Sequence, residues 1–278
     1  MLSKVLKNDF IATGRIMGVI YAIVAGVAAV TLISHYSANT DEMTVPEILG
    51  MSVLIIIAFS LFILTAVVVL FDFHKSLYAE QGYLTFTLPV KSWKILLSKV
   101  IVSTVWFVIA LAALFGSFWV MCVVVREELL GDSYDMVMSL LSQVSTFNVT
   151  TLIASCAVRI ILYFIMFAFF TITVFFTSTL ANTRLFQKKN VLWTIVLFIP
   201  IAAVALEIAD FMNSHIVFSL FIGNDGTFKL ITDNIEYNRL VMNGSSPIDI
   251  ASIFVYLILG AVIFYFTHYI MSKKVNIK

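Results

Sequence analysis

Long apolar stretches alternate with short polar connections along this chain. Six of them approach or exceed the roughly 20 mostly apolar residues that a helix needs to cross a bilayer, at about 14–36, 48–71, 100–125, 160–181, 191–209 and 250–271. In hydrocarbon no water is available to satisfy backbone amides, so each stretch must close its hydrogen bonds within itself, and a helix does so in a single segment. The pattern predicts an all-α membrane protein with six transmembrane helices in one domain covering 1–278. Pro200 interrupts the fifth stretch and Glu207 enters its far end, so a kink is expected there. The first stretch follows Lys4 and Lys7 but is longer than a signal-peptide core and has no cleavage site behind it, so it is read as a retained anchor.

Shorter apolar patterns occur between the spans. Leu2, Val5, Leu6 and Phe10 share one helical face with Lys4, Lys7 and Asn8 opposite, which predicts an interfacial amphipathic helix over 2–13; a frayed basic terminus is the plainer alternative. Two connections are long, 126–159 and 210–249. In the first, Val137, Leu140, Leu141 and Val144 recur at helical spacing, as in an amphipathic helix on a leaflet surface. In the second, 216–222 is apolar but too short to span, and reads as a re-entrant or interfacial segment, expected helical.

Charge decides the orientation. Of the 17 Lys and Arg residues, Lys4, Lys7, Arg15, Lys75, Lys91, Lys94, Lys99, Arg184, Lys188, Lys189, Lys273, Lys274 and Lys278 fall on one side of the six spans. Only Arg126, Arg159, Lys229 and Arg239 fall on the other. Basic residues accumulate on the cytoplasmic side, so both termini, the segment 72–99 and the turn 182–190 are expected there, an N-in/C-in topology in a bacterial plasma membrane. Most acidic residues, Asp41, Glu127, Asp132 and Asp233 among them, lie on the outer side and agree.

Composition adds mainly exclusions. The chain is 61% hydrophobic and 12% charged, about half the charge of an ordinary soluble domain, and its net charge of +1 gives no footing for a nucleic-acid partner. Cys122 and Cys156 are too few for a disulfide scaffold or a multi-Cys metal site. Each reads as a small packed hydrophobe, with a single bridge between them as the alternative. No Gly is followed by Lys, so there is no phosphate-binding loop; His35, His74, His215 and His268 are not spaced as zinc ligands, and no Gly-x-Ser-x-Gly elbow occurs. The chain is therefore not expected to be an enzyme or to hold a cofactor or metal. Charged groups are also missing from the centres of the spans, where each would cost about 2.5–3.5 kcal/mol; Asp72, Arg159, Glu207, Asp210 and Asp249 all fall near span ends. Uphill transport would have to draw its energy from a partner.

Two further features point to partners. Gly14, Gly18, Ala22 and Gly26 recur every fourth residue and give the first helix a smooth face for close packing, either against a helix of the same chain or against a second subunit. The segment 72–99 is far richer in aromatics than a solvated loop requires. Its Phe73, Tyr78, Tyr83 and Phe86 want a surface to bury against, be it a partner protein or the membrane interface.

In that segment, Tyr78-Ala-Glu-Gln-Gly-Tyr-Leu-Thr-Phe-Thr-Leu-Pro-Val90 followed by Ser98-Lys99 resembles the permeases of the type-2 ABC exporter family, as does the run from Lys7 to Arg15. The likeness covers the whole chain in layout and is concentrated at these two stretches. It implies a transmembrane domain that pairs with a second permease, identical or sibling, and docks separate ATPase subunits, which would carry the ATP and magnesium. It further implies that the loop between the second and third helices is a coupling helix, with Leu77, Tyr78, Glu80, Gln81, Gly82 and Tyr83 as ATPase contacts, and that 182–190 is a lesser contact. The basic N-terminal helix would correspond to the family's elbow helix. An aromatic and Met-rich lining suits an amphipathic or hydrophobic cargo, such as a peptide, a drug or a lipid-like molecule. A non-transporting sensor or assembly protein is the rival reading, followed by a secondary transporter.

The charge tally makes a direct prediction. With Cys122 and Cys156 replaced by Ser, a cysteine at Lys188 should be shielded from a membrane-impermeant thiol reagent in intact cells, and one at Asp233 should be labelled. The reverse pattern would overturn the topology.

Overall fold

The computed structural model describes residues 2–37, 45–78, 92–124, 149–183, 190–223, 227–242 and 247–273. Its long helices are α1 (Leu2–Ser37), α2 (Val45–Leu77), α3 (Ser92–Val124), α4 (Val149–Ala181) and α5 (Asn190–His215). Then come strand β1 (Ser219–Ile222), strand β2 (Phe228–Ile231), the short helix α6 (Asn234–Met242), strand β3 (Ile248–Asp249) and the final long helix α7 (Ile250–Lys273). Six helices are long and apolar enough to cross a membrane, over Ser3–Ser37, Ile48–Leu77, Ser92–Met121, Cys156–Ala181, Leu192–Met212 and Ile250–Ser272. All six overlap the stretches expected from the sequence.

The helices overrun the apolar windows because nothing at the window edges stops them. At 1.5 Å per residue the 33 residues of α2 extend about 50 Å, well beyond a hydrocarbon core of about 30 Å. The same continuity removes the expected boundary near residue 13: the basic amphipathic stretch and the first span form one uninterrupted helix. Pro200 likewise lies inside α5, which continues past it.

The segment 216–222 departs from expectation. It is not helical: Ser219–Ile222 is the central strand of a three-stranded antiparallel sheet of order β2-β1-β3, with Ser219 opposite Ile231 on one side and Asp249 on the other. Short β-forming runs, Ser-Leu-Phe-Ile and Phe-Lys-Leu-Ile, are separated by Gly223-Asn-Asp-Gly226, whose composition favours a turn. Gly223 N–H donates to the Thr227 carbonyl at 2.9 Å, closing the hairpin. The helix α6 that follows buries no side chain and is capped by Asp233, whose carboxylate accepts from the Ile235 amide at 3.1 Å. The amphipathic helix expected around 137–144 lies outside the described residues.

The chain divides into two compact units. One comprises Lys7–Val69 and Val105–Thr146. Within it, Thr13, Met17, Val24 and Thr31 form the buried face of α1, and Val24, Leu61 and Ala110 make a small core flanked by Ile20, Tyr21, Ile57 and Phe62. The Tyr21 ring stacks on Trp106 at 5.8 Å, its hydroxyl donates to the Trp106 carbonyl at 3.1 Å, and Trp106 Nε1–H donates to Thr13 Oγ1 at 2.9 Å. Gly14 faces Trp106, whereas Gly18, Ala22 and Gly26 are exposed, and no described atom lies within 4 Å of where a Cβ would stand at Gly18 or Gly26. Gly14 thus meets α3, whereas Gly18 and Gly26 face open space among the described residues.

The other unit comprises Met1–Leu6, Leu70–Thr104 and Phe147–Lys278. Here α4, α5 and α7 pack pairwise. Phe169 of α4 meets the Tyr256 ring at 5.2 Å and lies 3.6 Å from the position a Cβ would take at Gly260.

In the first unit α1 and α2 approach tightly at Gly50, where an added Cβ would stand 2.6 Å from Thr31 Oγ1. Thr31 is fully buried and donates to the Val27 carbonyl at 2.8 Å, so it has no room to retreat. Gly50→Ala should destabilise the chain by about 1–3 kcal/mol through overpacking, read as a lower unfolding midpoint in detergent. Thr31→Ala in the same chain should recover part of that loss.

Candidate functional site

The end of α2 that leads into the aromatic segment is built on one buried helical face. Val69, Phe73 and Leu77 recur every fourth residue and are 4%, 0% and 0% exposed, so this face is inserted rather than presented. Phe73 lies parallel to Phe175 of α4 with ring centres 3.9 Å apart, and Tyr78 meets the edge of Phe73 at 5.9 Å. The helix closes with the Tyr78 amide on the His74 carbonyl at 2.8 Å.

Two polar ties reinforce this packing. Tyr78 donates its hydroxyl to Thr179 Oγ1 at 2.8 Å, and Thr179 donates in turn to the Phe175 carbonyl at 2.7 Å. Burial pushes the Tyr78 phenol above its ordinary pKa, which keeps it a neutral donor. Nearly two turns before Tyr78, Asp72 Oδ2 accepts from Lys99 Nζ of α3 at 2.6 Å, with side-chain exposures of 25% and 6%. A lysine so enclosed is tolerable only beside an opposite charge.

Around these ties α3 and α4 carry an unusual load of buried hydroxyls. Ser98, Ser103, Thr104, Thr171, Thr173, Thr177, Ser178 and Thr179 are all nearly inaccessible. Several bond back to their own helix: Thr104 to Val100, Thr171 to Ala168 and Thr173 to Phe169, at 2.7, 2.9 and 2.9 Å. Such residues are satisfied without leaving the helix, so they cost little in an apolar setting and let neighbouring backbones approach. Thr104 and Thr171 bring their hydroxyl oxygens to 3.5 Å across the α3–α4 contact.

Leu77 and Tyr78, expected to touch an ATPase, thus form the anchored root of the segment. Glu80, Gln81, Gly82 and Tyr83 lie outside the described residues. Among the described residues no group of three His, Cys, Asp or Glu side chains is placed to hold a metal, and Cys156 is a free, exposed thiol. The geometry of this root is one of packed rings and two polar ties. What it offers is mechanical: residues on either side of 79–91 are tied to each other through Asp72 and Lys99, and to α4 through Phe73 and Tyr78. The sequence reading placed Asp72 and Lys99 at the ends of consecutive spans without pairing them. Opposite charges flanking one loop were the signal available.

Set against known proteins, the chain matches no family model, no curated protein and no solved structure.

Asp72→Asn should destabilise the protein by about 3–5 kcal/mol, because Lys99 would remain buried without this carboxylate. The double variant Asp72→Asn/Lys99→Met, which removes both charges, should be markedly more stable than the single one. Thermal unfolding in detergent, compared among the three chains, measures the difference.

Proposed function

We propose that this chain is the permease subunit of an ATP-driven ABC exporter in a bacterial plasma membrane. In this reading six spans with both ends cytoplasmic carry an amphipathic or hydrophobic cargo outward. Separate ATPase subunits supply ATP hydrolysis with magnesium, and a second permease, identical or sibling, completes the pathway. The observation that carries the reading is the anchored root of the aromatic segment. A loop meant to transmit a push must be rigidly joined to the helices it moves, and Phe73, Leu77, Tyr78 and the Asp72–Lys99 pair supply such a joint at the stretch that resembles the family's coupling helix. Contact with the ATPase would fall to Glu80, Gln81, Gly82 and Tyr83, with Leu77 and Tyr78 passing the displacement to α4. The charge-free centres of the spans support an external motor over an ion gradient.

A non-transporting sensor is the second reading. A cavity between the C-terminal part of α5, strands β1 and β3, and α6 favours it, because such a pocket serves sensing as well as transport.

Co-expression with an ABC-type ATPase subunit, sought among the neighbouring reading frames, separates the two. The intact chain should retain the ATPase through affinity purification, and Glu80→Ala/Tyr83→Ala should reduce the retained amount about tenfold or more while leaving the membrane level of the permease unchanged. Undiminished capture by the double variant would remove the coupling role.

A further inference from the structure

The three helices α4, α5 and α7 carry a second polar region, at the end opposite Tyr78. Twenty residues separate Arg159 from Thr179 on α4, about 30 Å of helix and close to the thickness of a hydrocarbon core. At this end a cavity of about 610 Å³ opens between the C-terminal part of α5, strands β1 and β3, and α6. Its polar lining is Asp210, Ser219, Asn234, Tyr237, Asn238 and Asp249: two carboxylates, two carboxamides and two hydroxyls, with no Lys, Arg or His among the described residues. That volume falls within the range of small-molecule sites.

Asp249 is held in place by the fold. Its backbone pairs with Ser219 in the sheet, its Oδ1 accepts from Ser219 Oγ at 2.7 Å, and its Oδ2 lies 3.5 Å from the Tyr237 hydroxyl. Burial and the neighbouring Asp249 charge raise the Tyr237 pKa, so the phenol stays protonated and its hydrogen remains available to the carboxylate. A carboxylate has about four acceptor positions, so two such donors leave Asp249 able to receive more. Asp210, exposed at the end of α5, plays no part in the sheet and lines the same cavity.

Asp249 also lines a second, narrower groove of about 220 Å³ between α4 and α7. That groove is walled by Leu162, Tyr163, Met166, Ile253 and Tyr256, with Arg159 the basic residue among its lining. A negative, hydrogen-bonding chamber therefore meets an apolar and aromatic slot at a single carboxylate. A molecule that satisfies both has a cationic head and an apolar body.

We infer that this end of the chain binds an amphiphile with an ammonium head, the head between Asp210 and Asp249 and the apolar portion along the α4–α7 groove. The Tyr237 ring offers the ammonium a π-face in addition to the two charges. The carboxylates at one end and the apolar walls of the groove set the order head first, tail behind. As a binding site it stands without the exporter reading; where that reading holds, it names the cargo as a cationic amphiphile taken up or released at the outer membrane interface.

The test uses the full-length chain in nanodiscs of zwitterionic lipid, with radiolabelled dodecyltrimethylammonium below its micellar concentration and empty nanodiscs as the blank. Binding should be saturable, and dodecyl sulfate and dodecyl maltoside should fail to compete. Asp249→Asn and Asp210→Asn should each weaken it about tenfold or more, while Glu236→Gln, which removes an exposed carboxylate paired with Lys229 outside the cavity, should leave it unchanged. Asn at 249 keeps an acceptor for Ser219; if that variant still loses its fold, Asp210→Asn decides alone. Uptake that never saturates, equal competition by dodecyl sulfate, or an affinity unaltered by Asp210→Asn would overturn the site. Retained binding in a chain that captures no ATPase would overturn the exporter reading and leave the site standing.

Discussion

A backbone amide or hydroxyl carried into hydrocarbon without a partner costs several kcal/mol, and the described elements answer that constraint almost wholly from within themselves. The long helices close their own backbone bonds, and the threonines on α1, α2, α3, α4 and α7 turn their hydroxyls onto the carbonyl three or four residues back. Polarity can therefore be threaded through apolar helices without polar partners between them. It also explains why packing in both units relies on aromatic contacts such as Tyr21 on Trp106 and Phe73 on Phe175.

Neutral groups meet across helices inside the spans, as Tyr21, Trp106 and Thr13 do, whereas the described charged groups that bond across elements lie near span ends. In the unit containing α4, α5 and α7, the Asp72–Lys99 pair and the Tyr78–Thr179 bond occupy one end, and Asp249 with Ser219 and Tyr237 occupies the other. The two clusters differ in kind. At the first, a cation and an anion neutralise each other beside tightly packed rings, which favours a rigid joint. At the second, the carboxylates border open volume, which favours a visitor of opposite charge. Under the exporter proposal the first cluster is the coupling joint and the second the cargo site.

The legible part of this fold was the part governed by composition over length. Six apolar runs were visible because a bilayer-crossing helix has one solution and about 20 residues to announce it. The sheet at 219–249 was not, since its strands are four residues or fewer and an apolar run so short fits a strand, a buried turn of helix or an interfacial segment equally well. Gly223-Asn-Asp-Gly226 was the overlooked clue, a turn composition between two β-forming runs. The stripe of Gly14, Gly18, Ala22 and Gly26 marks another limit, since spacing identifies a smooth face but not what covers it.

By itself, then, the sequence determined the number and placement of the apolar helices and the lack of a phosphate-binding loop, because each follows from residues close together in the chain. Only the tertiary structure decided that Asp72 meets Lys99, that Tyr78 is an anchor with its hydroxyl on Thr179, and that Asp249 lies between a polar chamber and an apolar groove. These contacts join residues 27, 101 and 30 positions apart in sequence. Helical periodicity carries no information over such separations, and the packing of one helix end against another is what brings those atoms within reach.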